Sequence, residues 1–183
     1  GGITYIGSRP RALSLFANNV STLIMAQTLD IPTLSWSGLG LRPTMSNNLK
    51  FIVPSELKLQ ACVASAEEGL EIAIKIGFPI LIIASKICGD FLSTFHQIQE
   101  EAKISSMLVM KAIPNARHME CPIVADKHGN VITLFSCDCN IFRNNKKVVV
   151  EAPSTNTLPQ TLVEMENAAI KLVKTAGFVG VGS

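Results

Sequence analysis

Apolar and polar positions along the chain switch repeatedly between helical and strand spacing. Val20, Leu23, Ile24 and Gln27 fall on one helical stripe; Asn18 or Asn19 supplies the cap, and Asp30 and Pro32 end the helix. Before it, residues 1–7 read as a short strand ending at a glycine, and Ser8 is positioned to cap a short helix with Pro10 in its first turn. Thr33, Leu34, Ser35 and Trp36 form a strand pattern, so a β-α-β alternation opens the chain. Gly38 and Gly40 lack the third glycine and following helix of a dinucleotide fingerprint.

Residues 42–55 are polar and irregular, a loop or link. Ser65 and Glu68 spell a capping box, opening a helix through Leu70, Ala73 and Ile74 that stops at Gly77. The following run, 80–84, is apolar on both faces and predicts a central strand. Asp90 caps a helix over 91–101 with Phe91, Phe95 and Ile98 as its buried stripe, and 107–112 is the next strand.

Beyond that, alternation puts His118 and Glu120 on one strand face and Met119, Cys121, Ile123 and Ala125 on the other. Pro122 removes a strand N–H and predicts an edge strand or a bulge. Residues 126–130 make a turn with Gly129 free to take a positive φ, and 130–135 returns as the hairpin's second strand. A basic segment with Arg143, Lys146 and Lys147 precedes three valines, so a polar strand face is opposed by a basic one, the pattern of an anion cleft. Thr157 is the expected cap of a last helix with Pro159 in its first turn and Leu162, Met165, Ala169, Leu172, Val173 and Ala176 on one face. Gly177 stops it, and 178–183 begins a strand.

Composition narrows the class. Apolar residues make up 48% of the 183 and charged residues 16%, against about 25% charged in an average soluble domain. No apolar run approaches the ~20 residues of a membrane span, and no basic head with an apolar stretch opens the chain, so a soluble, cytoplasmic protein is expected. A net charge of +2 without a long basic stripe argues against a nucleic-acid partner. The five cysteines (Cys62, Cys88, Cys121, Cys137 and Cys139) contain no CxxC pair, and reduced thiols are the expectation rather than a metal site. The fold class is α/β to α+β, with a mostly antiparallel sheet and packed helices after the opening βαβ segment.

The order RHMECPIVADKHGNVITLF, then CDCNIFRNNKKVVVEAP, resembles the ATP-grasp core of the biotin carboxylase domain of eukaryotic acetyl-CoA carboxylase. That family writes Arg-His-Leu-Glu-Val-Gln where this chain has Arg117 to Pro122, and Arg-Arg-His-Gln-Lys where it has Arg143 to Lys147. The likeness implies four stretches: 1–41 as the end of an amino-terminal-like domain, 42–60 as a link, 61–153 as an ATP-grasp-like subdomain, and 154–183 as the start of a carboxy-terminal part. It implies ATP and Mg as cofactors, biotin as the family substrate, and ATP-dependent carboxylation in fatty acid synthesis as the activity.

Carried over residue by residue, the likeness makes His118 and Glu120 the polar pair beside the nucleotide, and it makes Lys147, with Arg143 retained nearby, the cation facing bicarbonate and the phosphoryl group. The segment holding Val109, Met110, Lys111 and Ala112 resembles the strand whose backbone holds adenine, a reading that stands beside that of a plain sheet strand. Other positions depart. The family's phosphate lysine is Ile83, its glycine-rich loop shrinks to 86–89 with one glycine, and the glutamate that readies bicarbonate is Val150. The metal carboxylates and the biotin-side arginine would fall beyond Ser183, so no metal ligand is expected. A chain inactive by itself is therefore expected, acting as a carboxylase-like portion, as an interaction or regulatory module, or as a residual nucleotide binder. Its expected partner is full-length carboxylase or the remainder of the same domain.

Overall fold

The computed structural model describes residues 7–43, 51–83, 107–144 and 146–183. In chain order the elements are α1 (Pro10–Phe16), α2 (Asn19–Thr28), α3 (Ser55–Gln60), α4 (Ala66–Ile76), β1 (Ile80–Ile83) and β2 (Leu108–Lys111). They continue as β3 (Met119–Glu120), β4 (Ile123–Ala125), β5 (Val131–Thr133), β6 (Cys137–Arg143), β7 (Lys146–Glu151), α5 (Pro159–Ala176) and β8 (Gly180–Gly182). The fold is mixed α and β, and every strand pairing among the described residues is antiparallel. The chain divides into two compact units, one formed by Asn18–Pro114 and the other by Gly1–Ala17 with Asn115–Ser183.

In the first unit β1 pairs with β2, and α4 packs its Ala66 and Ala73 against Val63, Ile82, Met107 and Val109. The capping box forms with a shift: Ser65 Oγ accepts from Glu68 N at 3.2 Å, while Glu68 Oε2 accepts from Ala64 N at 3.1 Å, one residue before the cap. Gly77 ends α4 at φ 83°, a value that only glycine adopts without strain. Asn18 caps α2, its Oδ1 accepting from Ser21 N at 2.8 Å. A helix over Ser55–Gln60 stands where an irregular link is expected; it places Glu56 in its first turn and Lys58 in its last, both favourable to the helix dipole.

The expected strand at 33–36 does not form. Trp36 makes only an isolated bridge to Met110, with Ser35 O accepting from Lys111 N at 2.7 Å. The indole is 2% exposed, and its Nε1 donates to Gln27 Oε1 at 3.1 Å, while Gln27 Nε2 donates to the carbonyls of Gly38 and Leu41. Burial of the indole, together with the backbone bonds of Ser35 and Ser37 to β2 (Ser37 N donates to Val109 O at 2.8 Å), holds this segment. Gly38 is required beside it: a Cβ there would lie 2.5 Å from the ring of Trp36 and 2.7 Å from Ala61 Cβ.

The second unit carries two three-stranded sheets, ordered β3-β6-β7 and β5-β4-β8. The strand expected over 118–125, with an edge or a bulge at Pro122, is split outright at Cys121 and Pro122, so β3 joins one sheet and β4 the other. Pro122 has no N–H to donate to a ladder, and its carbonyl accepts from Leu134 N at 2.9 Å where the path changes sheet. The returning strand is shorter than expected, because Phe135 takes φ 54° and turns the chain into β6. The turn between β4 and β5 forms as read: Gly129 has φ 90°, and Asp126 Oδ1 accepts from His128 N and Asn130 N at 2.8 and 2.9 Å. Ile123, Ala125 and Val173 form the core of this unit, with Val131, Ala169 and Phe178 packed on them.

Two caps fall elsewhere. Ser8 caps no helix; α1 begins behind Arg9, and Ser8 Oγ donates to Val179 O at 2.7 Å and accepts from Val179 N at 2.6 Å, tying both ends of the unit together. Thr157 lies one residue too early to cap α5, which starts with Leu158 at its N-cap. The Thr157 hydroxyl bonds instead to Ser154 Oγ and Met119 Sδ, at 3.2 and 3.0 Å. The expected helix at 91–101 with its Asp90 cap, the shortened loop at 86–89, the opening strand and Cys88 all lie outside the described residues.

Candidate functional site

β3, β6 and β7 lie side by side, so a side chain on β3 reaches one on β7 across the middle strand. Glu120 faces Cys137 on β6, and Phe142 on β6 faces Lys147 on β7. Lys147 Nζ forms a close ion pair with Glu120 Oε1, and His118 Nε2 stands 3.2 Å from the same oxygen. The His118 ring also meets Phe142 edge to face, with centroids 5.4 Å apart. Ser183 Oγ lies 3.4 Å from the other oxygen, Glu120 Oε2. His118, Glu120 and Lys147 are thus brought together as one group.

The electrostatics follow from this geometry. Lys147, then His118, hold the Glu120 carboxyl below its ordinary range, and Glu120 in turn raises the Lys147 ammonium. The two side chains remain 24% and 38% exposed, so water screens the pair. Burial pushes the Cys139 thiol up, with the Glu120 charge adding to it, which leaves a neutral thiol beneath the site.

Glu120 titrates lower when folded, so its contribution is fully present above the ordinary carboxylate value and is lost as pH falls through the lowered one. A Glu120→Gln variant is expected to lose part of the acid-side decline in stability that the parent shows. Urea midpoints measured across the acid range check this; parallel profiles for the two proteins would contradict it.

Arg143 sits at the end of β6, opposite Lys146 in the hairpin register. Lys111 is in the other unit, and its Nζ donates to Gly77 O at 2.9 Å and Phe78 O at 2.7 Å, so its ammonium closes the C-terminus of α4. The neighbouring N–H groups are also engaged: Lys111 N donates to Ser35 O, Ala112 N to Pro79 O at 3.0 Å, and Val109 N to Ser37 Oγ at 3.4 Å. Ile83 ends β1, and Val150 lies exposed on β7 at 53%. Among the described residues no group of three or more His, Cys, Asp or Glu side chains is placed to hold a metal ion, and Cys121, Cys137 and Cys139 carry free thiols. No helix of the described residues is long and apolar enough to cross a membrane.

Sequence reasoning missed the second layer of this site. Asp138 accepts from Arg117 in a close ion pair and from Asn140, and Asn140 Oδ1 accepts from His118 N at 2.6 Å. Burial pushes the Asp138 carboxyl up, but Arg117 and Asn140 more than offset it, and it stays below its ordinary range. The only trace of this in the sequence is the Asp-x-Asn spacing, which favours local side-chain to backbone bonds.

Residues 44–183 match a family model described as the carbamoyl-phosphate synthase L chain ATP binding domain. The chain is 38% identical over 193 residues to an acetyl-CoA carboxylase of Dictyostelium discoideum, covering 100% of this chain and 8% of that protein. It is equally identical over 194 residues to a Saccharomyces cerevisiae protein named acetyl-CoA carboxylase, mitochondrial, again 8% of the relative's length. Its fold superimposes on the biotin carboxylase domain of a thermophilic 2-oxoglutarate carboxylase bound to bicarbonate, with TM-score 0.75, 26% identity, and 98% of this chain on 37% of that one. A Campylobacter jejuni biotin carboxylase solved as a β-γ-ATP complex gives TM-score 0.77 at 24% identity, 98% of this chain on 39% of that one, a likeness of fold.

Proposed function

The chain belongs to the family of the carbamoyl-phosphate synthase L chain ATP binding domain, and on that premise we propose that it is a biotin carboxylase-like portion of an acetyl-CoA carboxylase. In this reading the chain does not carry out ATP-dependent carboxylation of biotin by itself. The observation that carries it is the Lys147 ammonium held against Glu120 with His118 on the same oxygen. A cation fixed on a strand is what a phosphoryl or bicarbonate anion needs, and related biotin carboxylase domains have been solved bound to bicarbonate and in complex with MgADP.

Lys147, with Arg143 nearby, would meet the anionic end of a nucleotide, and His118 would contact the polar middle. When bound, the nucleotide supplies the phosphoryl group that activates bicarbonate. This chain's residues orient and neutralise charge: Glu120 holds Lys147 and His118 in place, and an incoming anion has to compete with that carboxylate for the ammonium. Among the described residues no group of three or more His, Cys, Asp or Glu side chains is placed to hold magnesium. Ile83 brings no charge where the resemblance expects a phosphate lysine, and Val150 cannot accept a proton where it expects a base. Removing a single charge-stabilising group of this kind costs about 10²–10³-fold in rate.

Purified chain is expected to show no bicarbonate-dependent ATP hydrolysis above a Lys147→Ala control, and clear turnover would overturn the reading. Calorimetric titration with Mg-ATP addresses binding separately. Heat abolished by His118→Ala supports residual nucleotide binding, whereas a flat titration leaves an interaction role.

That second role rests on β7, an edge strand among the described residues, whose Val148, Val149 and Val150 are 59%, 47% and 53% exposed. A row of exposed valines on an edge strand is a pairing surface, and the partner in this reading is full-length carboxylase or the rest of the same domain. Cytoplasmic location is part of the proposal, and subcellular fractionation decides it against the mitochondrial location in the yeast relative's name.

A further inference from the structure

The peptide of His118 departs from the ladder that holds the rest of β3. Met119 faces Asp138 and Glu120 faces Cys137, so the next pair would be His118 and Cys139. In a regular antiparallel pair of this kind the two residues exchange both backbone bonds. Only one of the two is made: Cys139 N donates to His118 O at 2.9 Å, whereas His118 N donates to the side chain of Asn140, at 2.6 Å from Oδ1.

The cause lies in β6. Asp138 pairs with Glu151 and Ile141 with Val149, three steps on β6 against two on β7, and the register recovers between Ile141 and Phe142. Asn140 sits in that bulge, where a strand bends and a ladder partner is lost. Its own position is held: Asn140 N donates to Asp138 Oδ1 at 3.1 Å, and its Nδ2 donates to the same oxygen. Asp138 is anchored in turn by Arg117, whose Nη1 donates to Asn156 O at 2.9 Å. The chain of contacts from Asn156 through Arg117, Asp138 and Asn140 therefore ends on the main chain of the histidine that touches Glu120.

We propose that Asn140 is a positioning residue for the His118, Glu120 and Lys147 group, its side-chain carbonyl replacing the lost strand acceptor and fixing where the imidazole stands against the Glu120 carboxylate. The role acts through His118, and its meaning for an anion rests on the reading of the site given above.

The test is the titration of Glu120 itself, followed by carboxyl carbon NMR in the full chain. In Asn140→Ala the His118 amide is expected to exchange roughly tenfold faster, the effect of one lost hydrogen bond. The Glu120 midpoint is expected to move up toward the ordinary carboxylate value, though less far than in Lys147→Ala, which removes the larger cause. An unmoved Glu120 midpoint overturns the proposal, whether or not the amide exchanges faster, because a merely structural bond would leave that titration alone. If the alanine variant does not fold, Asn140→Leu, similar in size and without the acceptor, is read by the same criterion. No nucleotide enters the measurement, so a failure to bind Mg-ATP and a failure of Asn140 to position His118 are separate results.

Discussion

Trp36→Ala is expected to lower the unfolding free energy by about 3–5 kcal/mol, the range for truncating a buried aromatic residue. The ring is 2% exposed and fills the space between Gly38 and Ala61, where even a single added Cβ would clash. Truncation opens a cavity and also leaves Gln27 Oε1, in a side chain that is itself buried, without its donor. An orphaned buried acceptor costs about 1–3 kcal/mol. Trp36→Phe keeps most of the volume and loses the N–H, so it should fall between the parent and the alanine variant. Urea denaturation followed by circular dichroism measures both, since Trp36 is the one tryptophan and its fluorescence disappears with the substitution. A loss under about 1 kcal/mol for the alanine variant would mean that the ring does not hold this segment.

Ile123→Ala is expected to cost about 2–5 kcal/mol in the other unit. Ile123 is 4% exposed on the central strand of its sheet, paired with Thr133 on one side and Gly182 on the other, in a core shared with Val173, Ala169 and Phe178. Ile132 on the neighbouring strand provides the contrast. It is equally apolar but points to the opposite face at 56% exposure, so Ile132→Ala should stay within about 0.5 kcal/mol. Equal losses at the two positions would contradict the assignment of faces.

The proposed function depends on charge placement as much as on packing. Lys147 is held by a carboxylate that any incoming anion has to displace. Lys111, in the other unit, closes the end of α4. A site with Lys147 so held suits weak anion contact better than phosphoryl transfer, and this is why turnover is not expected of the chain alone.

Much of the architecture was legible because local rules agree with it. Asn18, Ser65 and Glu68, Gly77, Gly129 and Gly177 stop or start elements where their conformational preferences say they should. The alternation of 118–125 separated His118 and Glu120 from the buried Ile123 and Ala125, and the resemblance to biotin carboxylase singled out Lys147. The misses share a physical origin. Ser8 and Thr157 are good caps, but their hydroxyls found better partners in Val179 and in Ser154 with Met119, contacts that no local pattern reveals. Thr33 to Trp36 have strand character, yet the pairing with β2 is confined to the single bridge at Trp36, whose indole is buried.

Taken alone, the order of residues determined the family, the mixed helix and antiparallel sheet class, most helix limits, and which side chains could carry charge to a site. Only the tertiary structure decided that Pro122 sends one run of chain into two sheets, that Glu120 joins Lys147 across β6, and that Asn140 grips His118 from a bulge. The division follows from range: caps and periodicity act over a few neighbouring residues and are written locally. Bulges, sheet switching and cross-strand ion pairs depend on which distant strand lies alongside, and packing chooses that strand.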